Sequence, residues 1–383
     1  MLGLWAVVTA VALAVYTYVG YPGLLLLAAR RRAARPGAAL HDWPLITILL
    51  PARNEEAVIA ATLENLLRAD YPADRRQILV LSDASTDRTD AIVSSFANRG
   101  VLLVHMPSRD GKTAAENAAI PFLRGEIVVN TDASVQVDPN ALKRLVSCLA
   151  DPSVGVASSH NVSVPRRTRT ANRAEAWYVE YDMWVRDLES RIAGISGAAG
   201  CLYAARLPVQ RQVLRRDLVR DFAAALHARE LGWRTVSVRD AVCYVPRIPS
   251  LRREYWRKVR TITGGIRTLW YKRALLNPLR YGLFSWILFS HKACRWGLPF
   301  IGLVAVALLP WGGGWALVGI ATASAATAWW WPEGNRLPRV IAVPAYFTLG
   351  NLAVLHAAWL ALTGAGPATW EPTRRPAVTR TAS

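Results

Sequence analysis

Two apolar runs that each end at a carboxylate constrain the fold of this chain most. Residues 79–82 form a run that stops abruptly at Asp83, and residues 127–131 form one that stops in the same way at Asp132. A buried parallel strand has this pattern when its carboxyl end carries a ligand site. The sequence therefore predicts two carboxylates at one edge of one sheet, where they can bind a nucleotide and a metal ion.

Four apolar runs alternate with segments of helical periodicity between residues 44 and 245. We predict strands at 46–50, 78–82, 101–105 and 127–131, and helices at 56–69, 90–99 and 112–123. Strands that alternate with helices of about 10–15 residues indicate a parallel sheet that is covered on both faces. The expected fold is therefore an α/β domain with a mostly parallel sheet.

The N-terminal segment is apolar over a length that can cross a bilayer. Leu2–Ala29 carries almost no charge, and a cluster of arginines follows it at Arg30, Arg31, Arg32 and Arg35. A cleaved signal peptide is shorter and has its basic residues before the apolar run. We therefore predict a permanent transmembrane helix whose C-terminal end lies in the cytosol.

Basic and apolar segments also follow the α/β domain. Residues 247–280 combine arginine and lysine with aromatic residues, which is typical of an amphipathic helix at the headgroup level; a solvated basic surface helix is the alternative. Apolar segments come next, at 296–310, 314–331 and 339–363. Basic residues beside apolar spans mark the cytoplasmic side. We predict a multi-pass protein of the inner membrane of a bacterial cell, with its α/β domain in the cytosol. The predicted parts are a transmembrane helix (1–29), a basic linker (30–43), the α/β domain (44–245), interfacial helices (246–295), C-terminal transmembrane helices (296–364) and a polar tail (365–383).

The net charge of +19, from 46 basic and 27 acidic residues, indicates an anionic partner. Because the basic residues flank apolar spans, a bilayer with anionic headgroups fits better than nucleic acid, for which no binding motif is visible. The cysteines do not form a Cys-x-x-Cys spacing, so the sequence predicts neither a zinc site nor a redox pair. The oligomeric state stays open.

The first predicted strand leads directly into a polar motif. This motif consists of Pro51, Ala52, Arg53, Asn54 and Glu55. It opens a helical segment, and the free amides at a helix start attract anions and polar ligands. Capping of that helix by Asn54 is the simpler interpretation of the motif taken alone.

Two further positions near strand ends are candidates for nucleotide binding. Asp83 can accept a hydrogen bond from a uracil imide or a ribose hydroxyl, whereas Asp87 fits a turn or helix cap better. Gly111 and Lys112 invite comparison with a phosphate-binding P-loop, but that motif requires glycine where this chain has Met106. Lys112 at a helix start can still attract a diphosphate.

Asp132 and Asp221 are candidates for metal binding and for catalysis. A hard cation such as Mg²⁺ or Mn²⁺ prefers carboxylate and phosphate oxygens, and Asp132 can supply one ligand, with Ser134 a poor second. Asp221 opens an amphipathic helix and can act as a general base if a sugar hydroxyl comes within reach. A helix cap is the more common role of a lone aspartate at such a place.

Taken together, these motifs resemble those of the membrane-embedded glycosyltransferases of family 2, which have the GT-A fold. The segments that carry the resemblance are 51–55 (Pro-Ala-Arg-Asn-Glu), Asp83, 111–117 (Gly-Lys-Thr-Ala-Ala-Glu-Asn), 132–134 (Asp-Ala-Ser), 178–206, Asp221 and 370–375 (Trp-Glu-Pro-Thr-Arg-Arg). The resemblance covers roughly residues 44 to 300, with apolar helices on both sides as in the family.

The resemblance implies a role for each motif. It implies a uridine site at Pro51, Ala52, Arg53, Asn54 and Glu55, a base-binding Asp83, diphosphate-binding Lys112, Arg257 and Arg260, a metal ligand at Asp132 for Mg²⁺ or Mn²⁺, an acceptor side that includes Gly200 and Tyr203, and a catalytic base at Asp221. Three departures stand out. Ser134 replaces the second aspartate of Asp-x-Asp, Arg220 replaces the glutamate before Asp221, and Thr261 stands where polymer synthases have tryptophan.

The expected activity is inverting transfer of a sugar from a nucleotide-sugar donor, UDP-linked by resemblance, to a saccharide or lipid-linked acceptor in cell-envelope or extracellular glycan synthesis. Because Thr261 lacks a stacking face, the sequence favours a single transfer over processive synthesis. A polyprenyl-phosphate sugar transferase and a non-catalytic nucleotide-sugar sensor or partner subunit are the alternatives.

Overall fold

The computed structural model describes residues 2–30, 40, 42–164, 174–246, 251–308, 313–332, 335 and 337–365. The predicted linker and tail lie largely outside these residues. The chain divides into two compact units. The sheet unit contains Ala34–Val164 and Gly194–Pro246, and the helical unit contains Met1–Ala33, Pro165–Ala193 and Arg247–Gly366. Part of the predicted 44–245 domain thus clusters with the helices.

The sheet unit contains an eight-stranded sheet of order β3-β2-β1-β4-β7-β6-β8-β5. Its strands are β1 (Ile46–Ala52), β2 (Arg76–Ser82), β3 (Val101–His105), β4 (Ile127–Thr131), β5 (Gln136–Val137), β6 (Val154–Val164), β7 (Leu202–Arg206) and β8 (Arg234–Pro246). The four predicted strands are confirmed, and β1, β2, β3 and β4 pair in parallel. β6 also pairs in parallel with β8, whereas β7 pairs antiparallel with β4 and β6, and β5 with β8. The sheet is therefore mixed, with four parallel and three antiparallel pairings.

The strand register brings several chain ends to one edge of the sheet. Ala52 lies beside Ser82, so β1 and β2 end together. Thr131, the last residue of β4, pairs with Leu202, the first residue of antiparallel β7. The segments that leave β1, β2 and β4 therefore meet the segment that enters β7, which is the edge where the predicted site residues cluster.

Helices cover both faces of this sheet. They are α3 (Ile59–Leu67), α4 (Thr89–Ser94), α5 (Lys112–Ala118), α6 (Ala141–Cys148), α8 (Leu207–Gln210) and α9 (Arg220–Glu230), where α7 belongs to the helical unit. One apolar core lies on the face covered by α3, α4 and α6. The other face has two smaller apolar clusters, one against α5 and one against α9.

The helical unit contains the remaining helices. They are α1 (Leu2–Val15), α2 (Tyr21–Ala29), α7 (Ala174–Ile192), α10 (Leu251–Tyr271), α11 (Pro278–Tyr281), α12 (Leu283–Leu288), α13 (Arg295–Ala307), α14 (Gly313–Trp330) and α15 (Arg339–Thr363). A π-helical turn at Tyr16–Gly20 joins α1 to α2, and another at Phe289–Cys294 joins α12 to α13. Within the described part of the chain, two helices are long and apolar enough to cross a membrane, Leu2–Ala29 and Arg339–Thr363. The predicted spans at 296–310 and 314–331 are not among them, so a multi-pass topology is not supported.

Buried charges connect the helices of this unit. His291 contacts Glu189 through Nδ1 and Asp182 through Nε2, and Asp182 also accepts a hydrogen bond from Arg295 at 2.7 Å. The hydroxyl of Tyr21 donates to the same Glu189. Buried charges require such pairing because removal from water is costly. The network therefore ties α2 and α7 to the second π-helical turn and to the start of α13.

Candidate active site

The motif after β1 forms the first wall of the site. Pro51 and Ala52 are the buried last residues of the strand. Arg53 donates to the carbonyl oxygens of Asp83 and Ala84, at 2.5 and 3.0 Å. Asn54 has a φ of 50°, which is uncommon for a residue with a side chain. Both residues thus hold the loop that leaves β2.

The same loop is fastened by Asn54, Glu55 and Asp87. The Asn54 Oδ1 accepts from the amide of Thr86 at 2.8 Å, and the Glu55 amide donates to the Thr89 hydroxyl at 2.8 Å. Burial raises the pKa of the Asp87 carboxyl, but hydrogen bonds from Thr89 and from the Glu56 amide lower this pKa by more than burial raises it. The net pKa of Asp87 therefore lies below its ordinary value. Asp87 therefore has the structural cap role that its sequence context predicts.

Asp83 is buried, with 1% of its surface exposed. Its Oδ1 accepts from the backbone amide of Asp110 at 2.9 Å, and its Oδ2 accepts from the amide of Gly111 at 3.1 Å. Gly111 has a φ of 89° and directly precedes α5. Glycine tolerates this left-handed backbone without strain. Asp83 thus fixes the turn from which Lys112 starts α5, and its binding of a nucleobase stays a prediction.

Lys112 and Asp132 form the centre of the site. The Lys112 Nζ donates to Asp132 Oδ1 at 2.6 Å, with both side chains partly buried. Burial lowers the pKa of Lys112, but the carboxylates of Asp132 and Glu116 raise it by more, so that its pKa lies above its ordinary value. Lys112 is therefore a permanent cation at the end of β4, suited to an anionic ligand.

Asp221 lies in the first turn of α9, packed tightly against the segment that enters β7. A Cβ atom built on Gly200 would lie only 2.2 Å from Asp221 Oδ2. The Asp221 Oδ1 accepts from the amide of Phe222 at 2.7 Å, and the Asp221 carbonyl accepts from the amide of Ala198. Only glycine at position 200 lets the carboxylate occupy this place.

The structure brings four of the predicted site residues, Lys112, Asp132, Tyr203 and Asp221, into one electrostatic cluster. The carboxylates of Asp132 and Asp221 both raise the pKa of Lys112 and that of Glu116 through electrostatic interaction. Tyr203 is 2% exposed, and its hydroxyl has no hydrogen-bond partner among the described residues. Burial and the nearby Glu116 raise its pKa well above the ordinary value, so Tyr203 stays a neutral phenol. The cluster therefore combines a fixed cation with nearby carboxylates at one edge of the sheet.

Glu116 and Arg220 belong to this cluster, although the sequence analysis assigned no role to Glu116. They are 1% and 4% exposed, and Glu116 Oε2 lies 3.2 Å from Arg220 Nε. The sequence contains one signal for this pair, the basic residue Arg220 directly before Asp221. A buried arginine needs an acidic partner elsewhere in the chain. No periodicity identifies that acid as Glu116, because the pairing depends on how α5 and α9 pack.

The residues fit a divalent cation only with help from a ligand. Asp132 offers one carboxylate at the strand end. Among the described residues there is no group of three His, Cys, Asp or Glu side chains that could hold a metal. A divalent ion prefers six or more oxygens, and Mg²⁺ usually takes several from phosphates and water. The site is therefore consistent with a cation that binds together with a diphosphate.

Arg257 and Arg260 lie on α10 in the helical unit. Arg257 forms a bidentate pair with the buried Glu254, at 2.8 Å from Nε and 2.6 Å from Nη2. Arg260 is half-buried on the same helix. Their binding of a diphosphate stays a prediction.

Several known proteins resemble this chain in sequence or in fold. Residues 47–204 match the family described as Glycosyl transferase family 2. A beta-monoglucosyldiacylglycerol synthase of Nostoc sp. is 28% identical over 161 residues, which are 41% of this chain and 34% of that protein. An N-acetylglucosaminyltransferase of Rhizobium meliloti is 25% identical over 321 residues, which are 76% of this chain and 72% of that protein. The chain thus spans about a third of the length of the first of these relatives.

A solved structure matches most of the chain. The mannosyltransferase PcManGT from Pyrobaculum calidifontis, in complex with GDP-Man and Mn²⁺, has a TM-score of 0.69 and 25% sequence identity, and the match covers 92% of this chain and 97% of that one. The mixed sheet with helices on both faces is the GT-A fold. Asp221 lies beyond the matched family segment, but within the same sheet unit. This chain therefore carries a family 2 glycosyltransferase domain of the GT-A fold.

Proposed function

We propose that this chain is an inverting glycosyltransferase that moves a sugar from a nucleotide-sugar donor to an acceptor at a membrane surface. The observation that carries the proposal is the cluster of Lys112, Asp132 and Asp221, which joins a cation, a strand-end carboxylate and a helix-start carboxylate in one place. A sensor that only binds its ligand has no need of a carboxylate held against glycine at that place.

The proposed reaction is a single displacement. Asp221 takes the proton from an acceptor hydroxyl while the hydroxyl oxygen attacks the anomeric carbon. The bond from that carbon to the diphosphate oxygen breaks, and the electron pair leaves with the nucleoside diphosphate. Lys112 offsets the charge that develops on the leaving group. A divalent cation held by Asp132 would supply further positive charge there when bound.

We propose a UDP-linked or GDP-linked donor. The cluster recognises the diphosphate, which the two donor classes share, and its geometry favours neither base. The PcManGT structure contains GDP-Man, whereas the motif resemblance favours UDP. The Mn²⁺ in the same structure supports a requirement for a divalent cation.

We propose a lipid or lipid-linked acceptor. The relative from Nostoc is named for a glucosyl diacylglycerol product. In this chain, the basic helix α10 packs along α15, which is one of two helices in the described segments that are long and apolar enough to cross a membrane. The Thr263 hydroxyl of α10 contacts the Ala357 carbonyl of α15, and Tyr255 bonds to His356 at 2.9 Å. The exposed Trp256 and Trp270 on α10 suit the headgroup level of a bilayer.

The first experiment measures nucleotide release by the full-length chain in detergent and in anionic lipid vesicles. The panel contains UDP-glucose, UDP-N-acetylglucosamine and GDP-mannose, each with diacylglycerol or polyprenyl phosphate and each with and without Mn²⁺. We expect release with one donor, dependent on Mn²⁺ and on a lipid acceptor, and sugar in the organic phase. Failure of every donor under every condition would contradict the proposed function.

The second experiment tests the base. A general base contributes about 10²–10⁴-fold to the rate, so Asp221→Asn should lower transfer by that factor while nucleotide binding persists. Asp217→Asn is the matched control, because Asp217 lies in the segment just before α9 and pairs with Arg215 at the surface. Near-normal transfer by Asp221→Asn would refute the assignment of the base.

A further inference from the structure

Arg220 and Glu116 form a buried ion pair directly beside the proposed base. Arg220 is the residue before Asp221 and the first residue of α9. Glu116 lies one helical turn after Lys112 on α5. Arginine and glutamate are almost never fully buried unless they are paired. The pair therefore links the helix that presents Lys112 to the helix that presents Asp221.

The guanidinium of Arg220 contacts several separate segments. Its Nη1 donates to the carbonyl oxygens of Gln210 and Gln212, at 3.2 and 3.3 Å. Its Nη2 donates to the side chain of Asn117. Its Nε lies 3.2 Å from Glu116 Oε2, and this contact is an ion pair without hydrogen-bond geometry. The planar fork of arginine fixes the direction of the hydrogen bonds from Nη1 and Nη2, which lysine cannot reproduce. Arg220 thus has a single defined place between α5 and the end of α8.

The same face of α5 also holds the segment that leads into α9. The Thr113 hydroxyl donates to the Leu218 carbonyl at 2.8 Å. The Asn117 side chain donates to the Leu214 carbonyl at 2.7 Å and accepts from the Leu214 amide at 3.1 Å. Positions three and four apart lie on one helix face, so Thr113, Glu116 and Asn117 act together. This face of α5 therefore holds the segment before α9 in place through hydrogen bonds.

A buried polar seam continues from the ion pair into the sheet. Asn130 on β4 lies beside Tyr203 on β7, and the Asn130 amide bonds to Gln210 at 3.1 Å. Replacement of a buried ion pair by apolar residues of similar volume is often neutral or stabilising. Stability alone is therefore a weak explanation for the pair. The directional hydrogen bonds of Arg220 indicate that it fixes the position of α9.

We propose that the Glu116–Arg220 pair is a positioning device for Asp221. It fixes the first turn of α9 on α5, so that the Asp221 carboxylate lies against Gly200 and at a set place relative to Lys112. This inference rests on the proposed function for its catalytic meaning. It also accounts for the departure at position 220. The acid that the family motif places before the base is absent, and an acid on α5 pairs with the arginine found there.

The test compares two variants with different effects on stability. Arg220→Lys keeps the charge but loses the fork. Arg220→Met combined with Glu116→Leu removes both charges and fills the space with apolar atoms. A displacement of about 1 Å can cost about 10²-fold in rate, so both variants should have a kcat lower by about that factor. We expect the Kd for the nucleotide to stay at the wild-type value in Arg220→Lys. We expect the double variant to fold with a lower unfolding temperature, because the acceptors at Gln210, Gln212 and Asn117 lose their donor.

Arg76→Lys is the matched control. Arg76 also donates to three carbonyl oxygens, those of Leu66, Leu67 and Ala69, but it lies at the start of β2, away from the edge that carries the site. It should lower the unfolding temperature and leave kcat unchanged. A kcat loss in Arg76→Lys as large as that in Arg220→Lys would show a general effect of stability and overturn the proposal.

A wild-type kcat in the folded double variant would also overturn it. If the double variant does not fold, a wild-type kcat in Arg220→Lys would overturn the proposal. A crystal structure of Arg220→Lys gives a result that does not depend on activity. We expect the Asp221 carboxylate to leave its contact with Gly200, and an unmoved carboxylate would refute positioning. Absence of turnover in the wild-type chain would instead refute the proposed function.

Discussion

Gly200→Ala is the most direct test of the contact that holds Asp221. The added Cβ would lie 2.2 Å from Asp221 Oδ2 and 3.2 Å from its Cγ. Real Cβ atoms stay beyond 3.0 Å, so the carboxylate oxygen must move by at least 0.8 Å, the difference between 3.0 and 2.2 Å. Rotation of the side chain is opposed by the hydrogen bond from the Phe222 amide to Asp221 Oδ1, at 2.7 Å.

This displacement sets the expected loss of activity. A shift of about 1 Å at a reacting group can lower the rate about 10²-fold, which is about 2.7 kcal/mol of activation free energy. We therefore expect kcat to fall by about that factor, whereas the Kd for the nucleoside diphosphate stays unchanged. The assay is the initial rate of nucleotide release with a saturating acceptor, together with calorimetric titration of the nucleotide.

Two comparisons separate the clash from a general effect of alanine. Gly302→Ala is the control, because a Cβ at Gly302 would meet nothing within 4 Å. In an Asp221→Ala background the clash is absent, and Gly200→Ala should then stabilise the fold by about 0.4–1 kcal/mol through the unfolded state. A Gly200→Ala enzyme that transfers sugar within about twofold of the wild-type rate, against the 10²-fold loss expected, would refute the close contact or the role of Asp221.

Three further substitutions test other parts of the site. Lys112→Met removes the cation that is paired with Asp132, so we expect the KM for the donor to rise at least tenfold, about 1.4 kcal/mol, and the Mn²⁺ concentration needed for half-maximal activity to change. Asp83→Asn loses acceptors for the turn at Gly111 and should lower the free energy of unfolding by about 1–3 kcal/mol, measured by urea titration. The lowered pKa of Asp87 means that its contribution to stability is complete above its unfolded-state pKa and is lost as the pH falls through the lower folded-state value. Asp87→Asn should therefore lower the free energy of unfolding at pH 7 and much less at pH 3.

The strands and the site edge were predictable because their signals are local. β1, β2 and β4 are apolar runs with buried side chains on both faces, and each begins or ends at a polar turn. β3 is the edge strand, and Val101 is its one buried residue. The predicted helix at 112–123 is shorter than expected, because α5 gives way to a 3-10 turn at Ile120–Phe122. A proline at position 121 cannot donate a helical hydrogen bond, which is a local reason for this break.

The antiparallel strands and the helical unit were harder to predict from the sequence. β7 is a short run within a segment that the sequence analysis treated only as an acceptor-side motif. Its pairing with β4 depends on contacts across the sheet and has no signature in its own periodicity. Segment 296–310 is apolar in sequence, yet α13 follows directly on the π-helical turn that contains His291 and Lys292, and it includes Pro299. In the described part of the chain, this segment is not among the helices long and apolar enough to cross a membrane.

By itself the sequence determined the α/β core, the family resemblance and the carboxylates at the sheet edge, since these depend on residue type and on spacing along one segment. Only the tertiary structure decided the partners of those carboxylates. Lys112 with Asp132, Arg220 with Glu116 and Gly200 with Asp221 each join positions far apart in the chain. The free energy of such contacts depends on burial and direction in three dimensions, which one-dimensional patterns do not contain.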